Sequence, residues 1–565
     1  MTSSVLPINY ICYIKIFKIP RVGKAMVGQQ LEQIKRSFFI KLGFLCVIFF
    51  IFFTESLRAE LTDFAFKLGL LEKVAGEKTV EDFYHTRNFR PVWIGQGPAA
   101  TERRTALFTA LEQADLHALP KRRYKADLRL FKKRSQEGRQ LGILEGQLTM
   151  AFLRYAKDVH AGLLNPSKVD ELIFRKLPRI NPGKLLHRVA SEPAKVVFNS
   201  LPPQSDAYKN LMKARQKLLK ASLNAPWGPV LLDERLAKGA EGDRVVQLRN
   251  RLISQGYLKQ TASARFDGDL RLALQRFQKD HGLSPDGIAG SNTIAELNVP
   301  ISHRLQSIEV AMERERWINH PQQNRQIVVN LTDYTVKLIE NGTVKFQTRS
   351  VVGADIDDQR SPEFSDEMEY MVINPTWNVP KSITLNEYLP ELQEDPSAHS
   401  YLTLYDQDGQ VVDRDFVDFL AYNQDSFPYD LKQMPSQTNA LGLVKFMLPN
   451  PHNIYLHDTP SKDLFAKETR AFSHGCIRLH QPFDFAFELL SDQSYDPVGD
   501  FFRLLDAGKE ASIILKKPVP VHIIYRTAVA EYNGRVGFRR DIYGRDARIF
   551  EALRMAGLAL KPTQG

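Results

Sequence analysis

Cysteine is nearly absent from this chain of 565 residues: there are three, and only Cys476 lies beyond residue 46. Cys12 and Cys46 sit in the N-terminal segment, so a chain that sheds that segment keeps one thiol and can form no internal disulfide. Long apolar runs are missing too. The longest, Leu42–Phe53, has twelve residues, short for a membrane span and right for a signal-peptide core. A strong charge of one sign is also lacking. The net charge is +11, but residues 1–59 hold eight Lys/Arg against Glu32 and Glu55, which leaves +5 for the rest and no argument for nucleic acid. The densest basic run, Lys121–Arg134, reads as a solvated face. Neither H-E-x-x-H nor C-x-x-C occurs. His452, His457, His474, Cys476 and His480 are close in sequence, but their spacing fits no common zinc pattern, so no metal or cofactor is expected.

What is present divides the chain into segments. Residues 1–59 are expected to be a signal peptide or, if uncleaved, an inner-membrane anchor; Lys35, Arg36 and Lys41 precede the apolar run, Leu57 and Ala59 offer a weak cleavage site, and Met26 is an alternative start. Residues 60–230 read as helical, with apolar residues at helical spacing over Leu148–Leu164 and a stop at Asn165-Pro166. No catalytic constellation appears there. Pro202-Pro203 and Pro226-Trp227-Gly228-Pro229 mark the end of that domain.

Residues 231–300 predict a three-helix module. Gly242-Asp243 opens the first helix and Gly256 stops it; Asp267-Gly268 opens the second and Gly282 stops it; Asp286-Gly287 turns into the third. Residues 301–530 then turn to strands, at Ile327–Leu331, Tyr334–Glu340, Thr343–Val352, Glu369–Ile373, Leu443–Leu448, Asn453–His457, Ile513–Leu515 and Val519–Tyr525. Asn341-Gly342 is a two-residue hairpin signal. Residues 381–440, rich in Asp, Gln, Ser and Pro with weak periodicity, read as an inserted lid, and 531–565 as a C-terminal extension. The fold class expected is multidomain α+β, with a mainly β catalytic domain.

The chemistry gathers in Ser473-His474-Gly475-Cys476-Ile477-Arg478. A free cysteine is often only a small buried hydrophobe. A single thiol two residues after a histidine, beside a glycine that admits close approach, instead suggests a nucleophile. Tyr455 and His457 alternate with Leu456 on the preceding strand, so both point to one face. His457 and His474 are both candidate bases, and the residues alone do not choose between them. Backbone amides around Gly475 and Cys476 could form an oxyanion hole, and the chemistry served is acyl transfer.

Two resemblances narrow this reading. G-D-x-V-x-x-L, A-L-Q-R-F-Q-K-D-H-G-L and D-G-I-A-G-S-N-T-I-A-E-L, within residues 242–297, resemble the peptidoglycan-binding module of many cell-wall enzymes. I-Y-L-H-D-T-P (Ile454–Pro460) followed by S-H-G-C-I-R-L (Ser473–Leu479) resembles the signature of the YkuD-type L,D-transpeptidases. N-P-T-W-N-V-P (Asn374–Pro380), N-A-L-G-L-V-K-F (Asn439–Phe446) and D-I-Y-G-R-D (Asp541–Asp546) resemble the large Gram-negative members, which carry a helical scaffold and a lid. Met434-Pro435-Ser436-Gln437 departs from their Pro-Gly-Pro-like turn. The resemblance implies a Cys476 nucleophile, a His457 base oriented by a carbonyl such as that of Asp458, support from His474 and Gly475, and Arg478, Tyr455, Ser473, Trp377 and Asn439 at the substrate. For Arg478 a loop-fixing salt bridge is the alternative. It further implies a periplasmic enzyme acting on peptidoglycan tetrapeptide stems, with other cell-wall synthesis enzymes as partners, and a target for carbapenems. A hydrolytic role, attachment of a protein to the wall, and a non-catalytic wall-binding scaffold are the rival functions.

Overall fold

A computed structural model of the chain describes residues 61–133, 137–224, 227–319, 323–530 and 535–558. The leader expected at residues 1–59 lies outside these. Among the described residues no helix is long and apolar enough to cross a membrane. The chain divides into two units, residues up to Glu77 with Arg134–Gly146, and Lys78–Lys133 with Gln147–Gly565. In the first, a helix over 61–74 lies against residues 138–146.

The second unit begins with the helices Lys78–Thr86, Pro98–Glu112, 147–161, Pro182–Ser191, Ala194–Ser200 and Asp206–Asn224. Leu148, Phe152, Tyr155 and Val159 are buried, as their helical spacing predicts. Thr149 Oγ1 receives the Trp93 indole N–H at 2.9 Å and lies 2.6 Å from the Tyr84 hydroxyl, which ties the chain before this helix to its buried face. The module follows as α1 (Asp243–Ser254), α2 (Gly268–Asp280) and α3 (Ser291–Asn298). Asp267 caps α2 by accepting the Leu270 amide. Val245, Leu248, Leu252, Leu270, Leu274 and Phe277 close its core.

Helix α4 (Ile301–Trp317) is the hub of the unit. Its charged residues Glu309, Glu313, Arg314, Glu315 and Arg316 are buried, which hydropathy alone does not anticipate. Each is paired. Glu309 holds Arg215, Glu313 holds Arg316, Glu315 holds Arg526, and Arg314 makes a two-pronged contact with Glu363 at 2.8 and 2.7 Å.

The main sheet starts with β1 (Arg325–Asn330), β2 (Thr335–Glu340), β3 (Thr343–Gly353) and β4 (Phe364–Ile373). Asn341 and Gly342 turn β2 into β3 with φ of 49° and 77°, the positive values a tight hairpin needs. The lid follows. It contains β5 (Trp377–Asn378), β6 (Thr403–Tyr405), β7 (Val411–Val412) and β8 (Asp430–Gln433), which form a four-stranded sheet of their own. The main sheet resumes with β9 (Val444–Met447), β10 (Leu456–His457), β11 (Ala471–Ser473), β12 (Ile477–Leu479) and β13 (Ala511–Ile524). The last two expected strands are thus one, whose register slips between Ile514 and Val519. The order is β11-β3-β12-β10-β9-β4-β13-β1-β2, and β2 pairs back to β3, so eight strands close into a ring. Val329, Met371, Phe446, Leu456 and Ile477 fill it, and α5 (Pro482–Leu490) packs Phe485 and Leu489 against it.

The C-terminal extension is integral. A hairpin of β14 (Ala528–Ala530) and β15 (Val536–Phe538) packs Ala528 and Phe538 with Leu211 and Ile308. Helix α6 (Arg545–Met555) buries Ile549 and Leu553 with Val310 and Trp317 of α4.

Candidate active site

Strands β10 and β12 run parallel, with Leu456 paired to Ile477 and His457 to Arg478. Leu456, Ile477 and Leu479 point into the core, so alternation sends Tyr455, His457, Cys476 and Arg478 to the opposite face. The rings of Tyr455 and His457 stand 5.6 Å apart, as one shared face requires.

His457 is buried, and its Nδ1 lies 2.5 Å from the Asp458 carbonyl oxygen. A carbonyl only accepts, so Nδ1 carries the proton and Nε2 keeps its lone pair. Burial first, then Arg478, drives the His457 pKa down to about 3, with Lys445 adding to the fall and the carbonyls of Asp458 and Leu441 opposing it. The ring is neutral at physiological pH. Asp458 is itself fixed, one oxygen taking Lys462 at 2.5 Å and the other the Leu443 amide at 2.9 Å. Gly442 makes that fit: its φ is +62°, and a Cβ there would stand 2.3 Å from the Asp458 carboxylate.

Cys476 is half-buried, and its thiol donates to the Asn453 carbonyl at 3.6 Å. Burial pushes the thiol up to about 11, against the pull of the Tyr455 amide and hydroxyl and of Arg478. At rest, therefore, the Cys476 thiol and the His457 imidazole are both neutral. Gly475 has φ +108°, and its carbonyl accepts the Ser361 hydroxyl at 2.6 Å. Its amide turns to Ser473 Oγ at 3.3 Å. That hydroxyl in turn donates to the Cys476 carbonyl at 2.6 Å.

His474 is directed elsewhere. Its Nε2 lies 2.7 Å from Glu387 Oε1, in a lid segment whose residues Thr384–Tyr388 form one turn of π-helix. Among the described residues Arg478 makes no salt bridge that would fix the loop. Burial lowers its pKa, the groups that raise it are Cys476, Tyr388 and Tyr455, and its buried Nε has no partner among the described residues.

Three residues expected at the substrate are occupied inside the protein. Ser473 is 2% exposed and spends its hydroxyl on the loop. Asn439 is 0% exposed; its side-chain N–H groups go to the carbonyls of Pro375, Gln433 and Met434, and its oxygen takes the Leu441 amide. Trp377 is part of the lid core with Leu389, Leu404 and Leu431. The turn at 434–437, which departs from the expected sequence, closes through the Asn439 amide on the Ser436 carbonyl at 3.2 Å. His452 stacks on Phe174 and His480 lies 3.3 Å from Arg349. Among the described residues no group of three or more His, Cys, Asp or Glu could hold a metal ion.

Sequence reasoning missed Glu387, Lys445 and Ser361. Lys445 alternates with the buried Val444 and Phe446, which was a signal that it faces outward, but its pairing with His457 is not written in the sequence.

Comparison with known proteins matches residues 78–214 to a scaffold domain, 241–297 to a "Putative peptidoglycan binding domain" and 324–493 to an L,D-transpeptidase catalytic domain, YkuD. A protein of Haemophilus influenzae described as "Putative L,D-transpeptidase" is 32% identical over 244 residues, 43% of this chain and 48% of the relative. The general secretion pathway protein A of Aeromonas hydrophila is 48% identical over 50 residues, 9% of each chain. This chain therefore spans about half of the first relative and a small part of the second. Solved L,D-transpeptidases from Stackebrandtia nassauensis and Xylanimonas cellulosilytica are each 14% identical, covering 53% of this chain and 97% and 100% of theirs, with TM-scores of 0.21 and 0.16. In order along the chain, then, residues 78–214, 241–297 and 324–493 match a scaffold domain, a peptidoglycan-binding domain and the YkuD L,D-transpeptidase catalytic domain, and the last of these contains His457 and Cys476.

Proposed function

We propose that the protein is an exported L,D-transpeptidase that forms 3→3 cross-links between peptidoglycan stems. The observation that carries this reading is the pairing of β10 with β12, which sets Tyr455 and His457 beside Cys476 and Arg478 on one face, with Nδ1 of His457 committed to a carbonyl. Cys476 is the nucleophile. As its sulfur bonds to the carbonyl carbon of a meso-diaminopimelate in a tetrapeptide, the thiol proton passes to Nε2 of His457. The histidine then protonates the amine of the departing D-alanine, and the carbon–nitrogen bond breaks. The resulting thioester keeps the free energy of the amide, so the second half-reaction needs no nucleotide. A side-chain amine of another stem attacks the thioester, gives up a proton, and expels the sulfur, which regains its own.

Arg478, desolvated and without a carboxylate partner among the described residues, supports a role in holding a substrate carboxylate. The Cys476 amide, in the loop shaped by Gly475, supplies a donor for the oxyanion. His474 belongs to the loop's contact with the lid. The same reading places the protein in the periplasm with peptidoglycan as its partner, and makes Cys476 the atom a carbapenem would acylate.

The test is incubation with tetrapeptide muropeptides and mass spectrometry of the products. Cross-linked dimers and free D-alanine are expected, and both disappear in Cys476→Ala. Dimers that persist in that variant would remove Cys476 as nucleophile. Tripeptide monomers without dimers would mean that water, not an amine, is the acceptor.

A further inference from the structure

Strand register sets three basic side chains in one row. Lys445 of β9 pairs with His457 of β10, and His457 pairs with Arg478 of β12. Directly paired residues project to the same face of a sheet, so the histidine stands between two cations. Keeping the ring neutral does not call for both, because burial is the largest cause of its depressed pKa.

Among the described residues neither cation has a salt-bridge partner. Lys445 is drawn partly out of water, and among the described residues the carboxylate that acts on it is Glu510, one of whose oxygens already takes the Thr376 amide at 2.5 Å. Among the described residues Arg478 has no carboxylate acting on it and its buried Nε has no acceptor. Desolvated cations without counter-ions are unfavourable until an anion arrives. Their separation sets the anion's form: two inter-strand steps place the two backbones roughly 10 Å apart. A carboxylate on the leaving residue and another at the end of a diamino acid side chain straddle a scissile carbonyl over a comparable span.

We propose that Lys445 and Arg478 bind two carboxylates of one donor peptide, Arg478 that of the leaving residue and Lys445 that on the side chain of the residue under attack. The inference rests on the L,D-transpeptidase reading for its donor and makes Lys445 a specificity-determining residue. A donor whose side-chain carboxylate is amidated lacks the group Lys445 recognises.

The test measures binding, so that it does not depend on turnover. In the Cys476→Ala protein, the affinity of a tetrapeptide stem is compared with that of the same stem amidated on the diamino acid side chain, with Lys445 intact, Lys445→Gln and Lys445→Arg, each checked for an unchanged melting temperature. Lys445→Gln is expected to weaken the free-carboxylate stem by about tenfold or more, the scale of one charge-assisted hydrogen bond, and the amidated stem by less than about twofold. Lys445→Arg retains most of the affinity. Equal losses for both stems, or no loss for either, would overturn the proposal. Selective binding by a protein that makes no cross-links when Cys476 is present would leave the Lys445 site standing and remove the transpeptidase reading instead.

Discussion

At the scale of single residues, the Cys476 thiol and the His457 ring both rest uncharged, although Lys445 and Arg478 flank the histidine. With His457 held at about 3 and Cys476 at about 11, the neutral pair dominates across the whole span between them. Because the thiol is raised, its reactive thiolate is scarce at neutral pH and grows as pH rises toward 11. Alkylation of Cys476 by iodoacetamide is therefore expected to accelerate about tenfold per pH unit above 7, read by mass spectrometry. A flat profile from pH 6 to 9 would mean a preformed thiolate–imidazolium pair. Much of this site was legible beforehand, since alternation put Tyr455 and His457 on one face and glycine marked the turn before the thiol. The parts that were not legible depend on which strand lies next to which. Lys445 becomes notable only once β9 pairs with β10, and Ser473 and Asn439 carry polar groups whose partners are internal carbonyls and amides that no local pattern reveals.

The element that differs most from the sequence reading is the insertion at residues 381–440, expected to be a lid. Its strands run two to four residues, too short for a period of two to show, yet together they bury Leu392, Leu404, Phe419 and Leu431 in a separate core. Asn439 secures the point where this lid rejoins the sheet. Replacing it with alanine leaves three carbonyls without their shared donor, at about 1–3 kcal/mol for buried groups left unpaired. Asn439→Ala is therefore expected to speed proteolytic cutting within residues 381–440 before the sheet unfolds, as followed by limited proteolysis and mass spectrometry. Simultaneous loss of lid and sheet would show that the two are one cooperative unit. By contrast, the hairpin at Asn341-Gly342 and the caps of the three-helix module were legible because each follows from one or two residues with a fixed backbone preference.

Within the second unit as a whole, buried charges join segments far apart in sequence. Asp170 meets Arg548 and Arg545, Arg545 donates to the Ser361 carbonyl at 2.9 Å, and the Ser361 hydroxyl reaches the Gly475 carbonyl beside Cys476. The peptidoglycan-binding domain also grips the stretch between His457 and Cys476, where Glu468 accepts the Ser284 amide at 3.0 Å and the Asn292 side chain at 2.8 Å. Truncation after residue 530 removes α6 and leaves Asp170 buried without Arg545 and Arg548, a loss of about 3–5 kcal/mol for a broken buried pair, while Glu363 keeps Arg314. The shortened chain is expected to melt well below the intact one and to lose Cys476 adduct formation, as calorimetry and mass spectrometry would show; unchanged melting would contradict the role given to α6. There is also a consequence for the order in which the chain becomes competent. The ring of strands cannot close before β13 is available, and the loop of Cys476 has no brace before Arg545 docks. Both follow Cys476 in the chain, so a chain made from its N-terminus holds the thiol before the segments that fix its surroundings, and the loop takes its braced form only when Arg545 reaches Ser361 and Ser361 reaches Gly475.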